Sequence, residues 1–258
     1  MSPLITRLAT TVVELLHYQG RFGTFIAQFL IALFTHKPPI GRSVEEAYRI
    51  GVRSLPILLI ISAFVGTNLA ILGYNAFLPL GGAQMVGTFV ALAGVREMAP
   101  IMVAAMVASK AGTEMASQLA VMRIREQIDA LEVMAINPYA FLIVPRFLGI
   151  LIVLPALTIL SIFTLLVAAL LVSVFQLRLS GATFVRLAAE NIHVTDLVNC
   201  GWKAFVFGAI ICVVSCFYGF NSRPGPAGVG QATNAAVVVS ACSCAILNYV
   251  LSEILYGV

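Results

Sequence analysis

The sequence predicts an all-α membrane protein with five transmembrane helices, and three observations predict it. Of 258 residues, 60 % are hydrophobic and 10 % charged, against a charged share of about 25 % in soluble domains. Five apolar runs have the length of spanning helices, which need about 20 residues. One of those runs, 85–109, carries Arg96 and Glu97 in its middle. Insertion scales put an Arg or Asp at a helix centre at about 2.5–3.5 kcal/mol, so such groups persist where they face a cavity, a partner or a pore.

In chain order, residues 1–45 form an interfacial or elbow region ahead of a five-helix region, 46–258, and the whole reads as one domain. The run 22–34 has only 13 residues. That is too short to cross, and it reads as an interfacial or re-entrant helix joined to the amphipathic segment before it. Glu14 and His17 interrupt the early apolar stretch, so no cleavable signal peptide is expected. The first span, 55–74, has no charge in 20 residues, and the second is 85–109. Between Arg146 and Arg178 lie 31 uncharged residues. As a helix these measure about 46 Å, longer than a bilayer core of about 30 Å, so the third span should tilt or project, with Pro155 a candidate kink. The fourth span is 204–220, and Trp202 with Lys203 at its start reads as an interfacial anchor. The fifth is 235–252.

Lys and Arg orient these spans. With the N-terminus in the cytoplasm, eleven of the fifteen fall on that side (Arg7, Arg21, Lys37, Arg42, Arg49, Arg53, Lys110, Arg123, Arg125, Arg146, Arg223). Arg178, Arg186 and Lys203 fall on the other, which by the positive-inside rule leaves the C-terminus outside. A net charge of +4 without a basic stripe indicates no nucleic-acid partner. The five cysteines (Cys200, Cys212, Cys216, Cys242, Cys244) read as packing residues. His17, His36 and His193 are scattered, so neither a metal nor another cofactor is expected. Glu190, His193 and Asp196 read as a solvated loop or docking surface.

The most distinctive polar segment is Arg123 to Pro138, RIREQIDALEVMAINP. Ile124, Ile128, Leu131 and Ala135 share one helical stripe, while Glu126, Asp129 and Glu132 lie on other faces. Arg125 and Asp129 stand at i,i+4, and Asn137-Pro138 ends the helix. This predicts a short amphipathic helix across the cytoplasmic ends of the spans. It is either a surface helix closing a loop or a docking helix for a cytoplasmic subunit.

The stretch SKAGTEMASQLAVMRIREQIDALEVMAINPYAFLIVPR resembles the signature of MlaE/YrbE-type permeases, membrane subunits of ABC transporters partnered by Mce proteins. REMAP upstream and NSRPGPAGVGQATNAAVV downstream resemble the same family, so the likeness runs from about residue 45 to the C-terminus. The chain departs from the family at Lys110, where Arg is usual, and at Gln118, where Glu is usual, with Glu114 an added acid nearby. The resemblance implies a homodimeric permease in a bacterial inner membrane, with a cytoplasmic ABC ATPase and a periplasmic Mce-domain protein as partners. It implies lipid as cargo, phospholipid in the best-known branch. The chain has no G-x-x-x-x-G-K-[ST] loop, so ATP would be hydrolysed on a separate subunit and this chain is not expected to be an enzyme. The helix at about 123–138 would be the coupling helix, with Arg123, Arg125, Glu126, Asp129, Leu131, Glu132, Met134, Asn137 and Pro138 facing the ATPase.

Arg96 and Glu97 would then handle the cargo. Neighbours on a helix point about 100° apart, so the two do not neutralise each other. Pro100 cannot donate to the Arg96 carbonyl and Gly94 loosens the turn before it, so a local break is expected. Each charge can pair on another helix, on a second protomer or with a lipid headgroup. One reading is a buried ion-pair network that fixes packing, and the other is headgroup binding. Leu69, Leu72, Tyr74, Phe77, Leu78 and Leu80 would supply an apolar wall for lipid. Two other classes stay open: an ion-coupled secondary transporter using Arg96 and Glu97, and an intramembrane enzyme acting on lipid.

Overall fold

A computed structural model describes residues 3–35 and 40–257, with side chains from residue 19 onward. His36 and Lys37 therefore lie outside the described residues, as do the side chains of Arg7, Glu14 and His17. Every regular element described is helical. Among the described residues, five helical rods have the length and apolarity to cross a bilayer: Ile40–Leu80, Ala83–Ile124, Tyr139–Phe175, Val194–Phe220 and Pro226–Tyr256. The protein is thus an all-α, multi-pass membrane protein. The short helix α6 (Gln127–Val133) joins the second and third rods and marks one end of the bundle. The other end is marked by α8 (Gly181–Asn191), between the third and fourth.

α1 (Pro3–Thr35) is one continuous helix of 33 residues. Of the two alternatives expected for this region, interfacial or re-entrant, the continuous helix excludes the re-entrant one, since re-entry needs a chain reversal and the helix has none. Its second half packs at the α6 end, with Phe25, Phe29 and Ala32 buried. The Phe25 ring meets Tyr139, Phe217 and Phe220, and Phe29 meets Phe147.

The tightest helix pair is α2 (Ile40–Phe77) with α7 (Val144–Phe175). A Cβ on Gly66 would sit 2.2 Å from the Leu165 carbonyl oxygen, so only glycine lets these backbones touch. Ser62 and Ser161 hydrogen-bond across the same contact at 2.8 Å. Small residues and interhelical hydrogen bonds of this kind drive association where lipid removes the hydrophobic drive. α7 runs through Pro155 without interruption.

The second rod is the irregular one. It runs α3 (Val86–Phe89), a π-helical stretch Val90–Met98, α4 (Ala99–Val107), a second π stretch Ala108–Gly112, and α5 (Thr113–Ile124). π turns are rare inside helices and concentrate at functional sites. In the first stretch the Ala99 N–H reaches back to the Gly94 carbonyl, which frees the Val95 carbonyl. Pro100 has no N–H, which frees the carbonyl of Arg96. The expected local break is this π stretch.

α6 is shorter than the sequence suggested. Glu126 adopts a left-handed φ of 56° and Ala135 one of 57°, so the expected helix breaks at Arg125–Glu126 and ends at Val133. Of the expected apolar stripe, Ile128 and Leu131 are buried, whereas Ile124 and Ala135 are exposed. The turn folds those two side chains back onto the core. Burying them is worth about 1.5–3 kcal/mol each, which outweighs a left-handed penalty of about 1–2 kcal/mol per residue.

Candidate functional site

The π stretch places Arg96 and Glu97 against two other rods, α9 (Val194–Phe220) and α10 (Pro226–Tyr256). On α9, Asp196, Cys200 and Lys203 fall at i, i+4 and i+7 and share one face. Asn248, Ser252 and Tyr256 do so on α10, at i, i+4 and i+8. Arg96 Nε lies 3.0 Å from Asp196 Oδ1, and Nη2 donates to Oδ2 at 3.3 Å. Glu97 Oε1 accepts from Lys203 Nζ at 3.0 Å and from Ser252 Oγ at 2.8 Å. Its Oε2 accepts from Asn248 Nδ2 at 2.8 Å.

Lys203 is fully buried. Besides Glu97, its ammonium donates to Ser252 Oγ at 2.7 Å and to the Arg96 carbonyl at 2.9 Å. Three acceptors thus meet the three N–H groups of an ammonium. The Cys200 thiol donates to the Val95 carbonyl at 3.0 Å, so α9 serves both carbonyls that the π stretch releases. The Tyr256 ring stands 5.0 Å from both cations. Asp196 also accepts the His193 backbone N–H at 3.0 Å, capping α9. Two cations face two carboxylates, and the cluster is neutral. It is not sealed, since 32 % of the Arg96 side chain and 35 % of the Glu97 side chain remain exposed.

Two expectations are corrected here. Lys203 is not an interfacial anchor: one residue on from exposed Trp202, and so about 100° round the helix, it is buried and held by Glu97, because a buried ammonium is tolerable only when paired. Asp196 is not in a solvated loop but buried on the first turn of α9, held there by Arg96. Glu190 does remain exposed, beside Arg186. Asn248, Ser252 and Tyr256 went unread altogether. The available signal was a polar stripe at helical spacing in otherwise apolar rods.

The expected apolar wall divides. Leu69 is buried, Tyr74 and Phe77 are half-buried, and Leu72, Leu78 and Leu80 are exposed. Phe77 packs edge-on against Phe89, 6.0 Å between ring centres.

At the α6 end, Arg123, Arg125, Glu126, Asp129, Glu132 and Met134 are exposed, as is Val133. Leu131 and Pro138 are buried. Asn137 Oδ1 accepts the Tyr139 N–H at 2.9 Å and so caps the rod that follows. Asp129 pairs with Arg123 rather than with the expected Arg125, because the turn at Glu126 carries Arg125 off the α6 face.

A bundle of spanning rods holds ionisable groups among its helices and presents an exposed polar helix at one end, an arrangement that suits a membrane permease. Comparison with known proteins agrees. "Probable ABC transporter permease protein" is the name of a Rickettsia conorii protein 33 % identical over 241 residues, 93 % of this chain and 92 % of that one. A Synechocystis protein of the same description is 31 % identical over 83 % of this chain and 81 % of its own length. The chloroplastic Arabidopsis thaliana protein named TRIGALACTOSYLDIACYLGLYCEROL 1 is 33 % identical over 89 % of this chain and 65 % of its own. The pattern of the family Permease MlaE matches residues 43–254, and the chain belongs to the MlaE permease family.

Proposed function

We propose that this chain is the membrane subunit of an ABC transporter that moves lipid, most readily phospholipid, with ATP hydrolysed on a separate cytoplasmic ATPase. One observation carries the reading. The rod that bears Arg96 and Glu97 continues without interruption to Ile124 and then, through a single turn, into the exposed helix α6. From Glu97 to Ile124 is about 40 Å at 1.5 Å per residue. A partner that moves α6 therefore pushes on the element that holds the intramembrane charges.

In this reading α6 is the coupling helix, and Arg123, Arg125, Glu126, Asp129, Glu132 and Met134 meet the ATPase. The excess of Lys and Arg at the α6 end puts that end, and the N-terminus, in the cytoplasm of a bacterium and the C-terminus in the periplasm. A Mce-type protein receives or delivers lipid at the α8 end. A second copy packs against the face of α10, the rod least covered within the chain. The open sides of Arg96 and Glu97 take the headgroup, the guanidinium fork suiting phosphate. Leu72, Leu78 and Leu80 are left free for acyl chains. The relatives' ABC permease names support the ATPase partner, and the Arabidopsis relative is named after a galactosylated diacylglycerol, itself a lipid.

The test is reconstitution with the ATPase in vesicles carrying labelled phospholipid. Lipid transfer should require ATP, and Glu126→Lys should abolish lipid-stimulated hydrolysis while the permease still inserts, since a reversed charge sets like against like at the docking surface. Transfer driven by a proton gradient without ATP would instead identify an ion-coupled carrier.

A further inference from the structure

A second set of charges lies at the α6 end, where α2, α5 and α7 leave the apolar zone. Glu46 pairs with Arg49 at 2.6 Å, and Glu114 lies 3.3 Å from Arg49 and 3.2 Å from Arg53. Lys110 donates to the Arg53 carbonyl. Both carboxylates are thus engaged on the α2 side. Arg146, on α7, is only 5 % exposed and shares Glu46 with Arg49, its Nε lying 3.8 Å from Glu46 Oε1. Its Nη2 donates to the neutral amide oxygen of Gln118 at 3.1 Å, an oxygen that Arg49 Nη2 also uses at 3.1 Å, and its other side-chain contact is with the thiol of Cys216. Arg146 Nη1 and Arg49 Nε, both buried, make no hydrogen bond within the chain.

A buried guanidinium is stable only when an anion compensates it. In this cluster four cations (Arg49, Arg53, Lys110, Arg146) meet two carboxylates. Arg146 also lines an open cleft of about 360 Å³ between α5 and α7, together with Ser117, Gln118, Val121 and Met122. Its two hydroxyl and amide groups and two apolar side chains suit an amphiphile. We propose that this cleft binds the phosphate of an anionic phospholipid in the leaflet at the α6 end, held by Arg146, with Arg49 adding positive charge from the far side of Gln118. Basic pockets between spanning helices on the cytoplasmic side recognise anionic headgroups in this way. The site is separate from the Arg96–Glu97 cluster, and it rests on the permease reading only for the side of the membrane it faces.

The experiment uses the full chain, without ATPase, in nanodiscs of equal phosphatidylglycerol and phosphatidylcholine, with bound lipid read by native mass spectrometry. Wild type should retain phosphatidylglycerol. Gln118→Glu, isosteric and supplying the missing carboxylate from within, should lower that retention about tenfold, the worth of one charge-assisted contact. Arg146→Gln should lower it similarly, while Arg186→Gln, which removes one positive charge at the other end, should leave it unchanged. Retention by Gln118→Glu equal to wild type overturns the proposal. So does equal displacement of the lipid by millimolar inorganic phosphate, which would make this a site for free anions. In a second arm with the ATPase added, loss of bound lipid without any lipid dependence of hydrolysis also overturns the proposal, since it would assign the cleft to a partner carboxylate. ATP-driven transfer is scored separately, so a failed transport reading does not decide this one.

Discussion

The two charge clusters use the same side chains and reach opposite electrostatic balances. Around Arg96 and Glu97, two cations meet two carboxylates on neighbouring rods, and even the carbonyls released by the π stretch have donors. Around Arg146, two carboxylates are shared among four cations, and the buried guanidinium has Glu46 only at 3.8 Å and a neutral amide at 3.1 Å. The first cluster balances its charges within the chain, although Arg96 Nε and Asn248 Oδ1, both buried, make no hydrogen bond there. The second is short of negative charge. Charge balance, not burial, separates a cluster that holds helices together from one that awaits a ligand, since an unpaired buried charge costs more than a pair returns.

The largest effect should come from breaking the balanced cluster at its centre. Lys203→Met strands Glu97 and leaves the Arg96 carbonyl without a donor, so unfolding stability should fall by about 3–5 kcal/mol. Adding Glu97→Gln should recover most of it, and thermal unfolding in detergent reads both. Neutralising Arg96 and Glu97 together should not recover stability, because they pair with different partners and Asp196 and Lys203 would both be stranded. Recovery by that double variant would mean the two neighbours act as one pair after all.

A smaller effect, of opposite sign, belongs to the unbalanced cluster. Gln118→Glu exchanges a neutral acceptor for a charged one beside Arg146, and should raise stability in lipid-free detergent by about 1 kcal/mol. A loss of stability would show that Arg146 is already compensated. The smallest effect concerns α6. Ala135→Gly removes left-handed strain of about 1–2 kcal/mol but adds about 0.5–1 kcal/mol of chain entropy, for a net gain near 0.5 kcal/mol. Chemical or thermal denaturation comparing Ala135→Gly with Ala135→Val, which should lose stability, makes so small a difference readable.

The sequence by itself determined the fold class, the five rods and the helical break before Pro100. Each follows from local chemistry: apolar runs of bilayer length, charges at their boundaries, and a proline that cannot donate. It also located Arg96 and Glu97, because an ionisable pair in an apolar run is visible without a partner. Only the tertiary structure decided what those charges do. Asp196, Lys203, Asn248 and Ser252 lie 100 to 155 residues away along the chain from the groups they hold, and their role depends on the rotation of each rod about its axis. Lys203 read as an anchor because one residue earlier Trp202 does sit outside, and a 100° step on a helix is enough to turn the next side chain from lipid to core. The break of α6 at Glu126 was equally hidden. Nothing local favours a left-handed glutamate there, and it exists because Ile128 and Leu131 gain more by reaching the core than the turn costs.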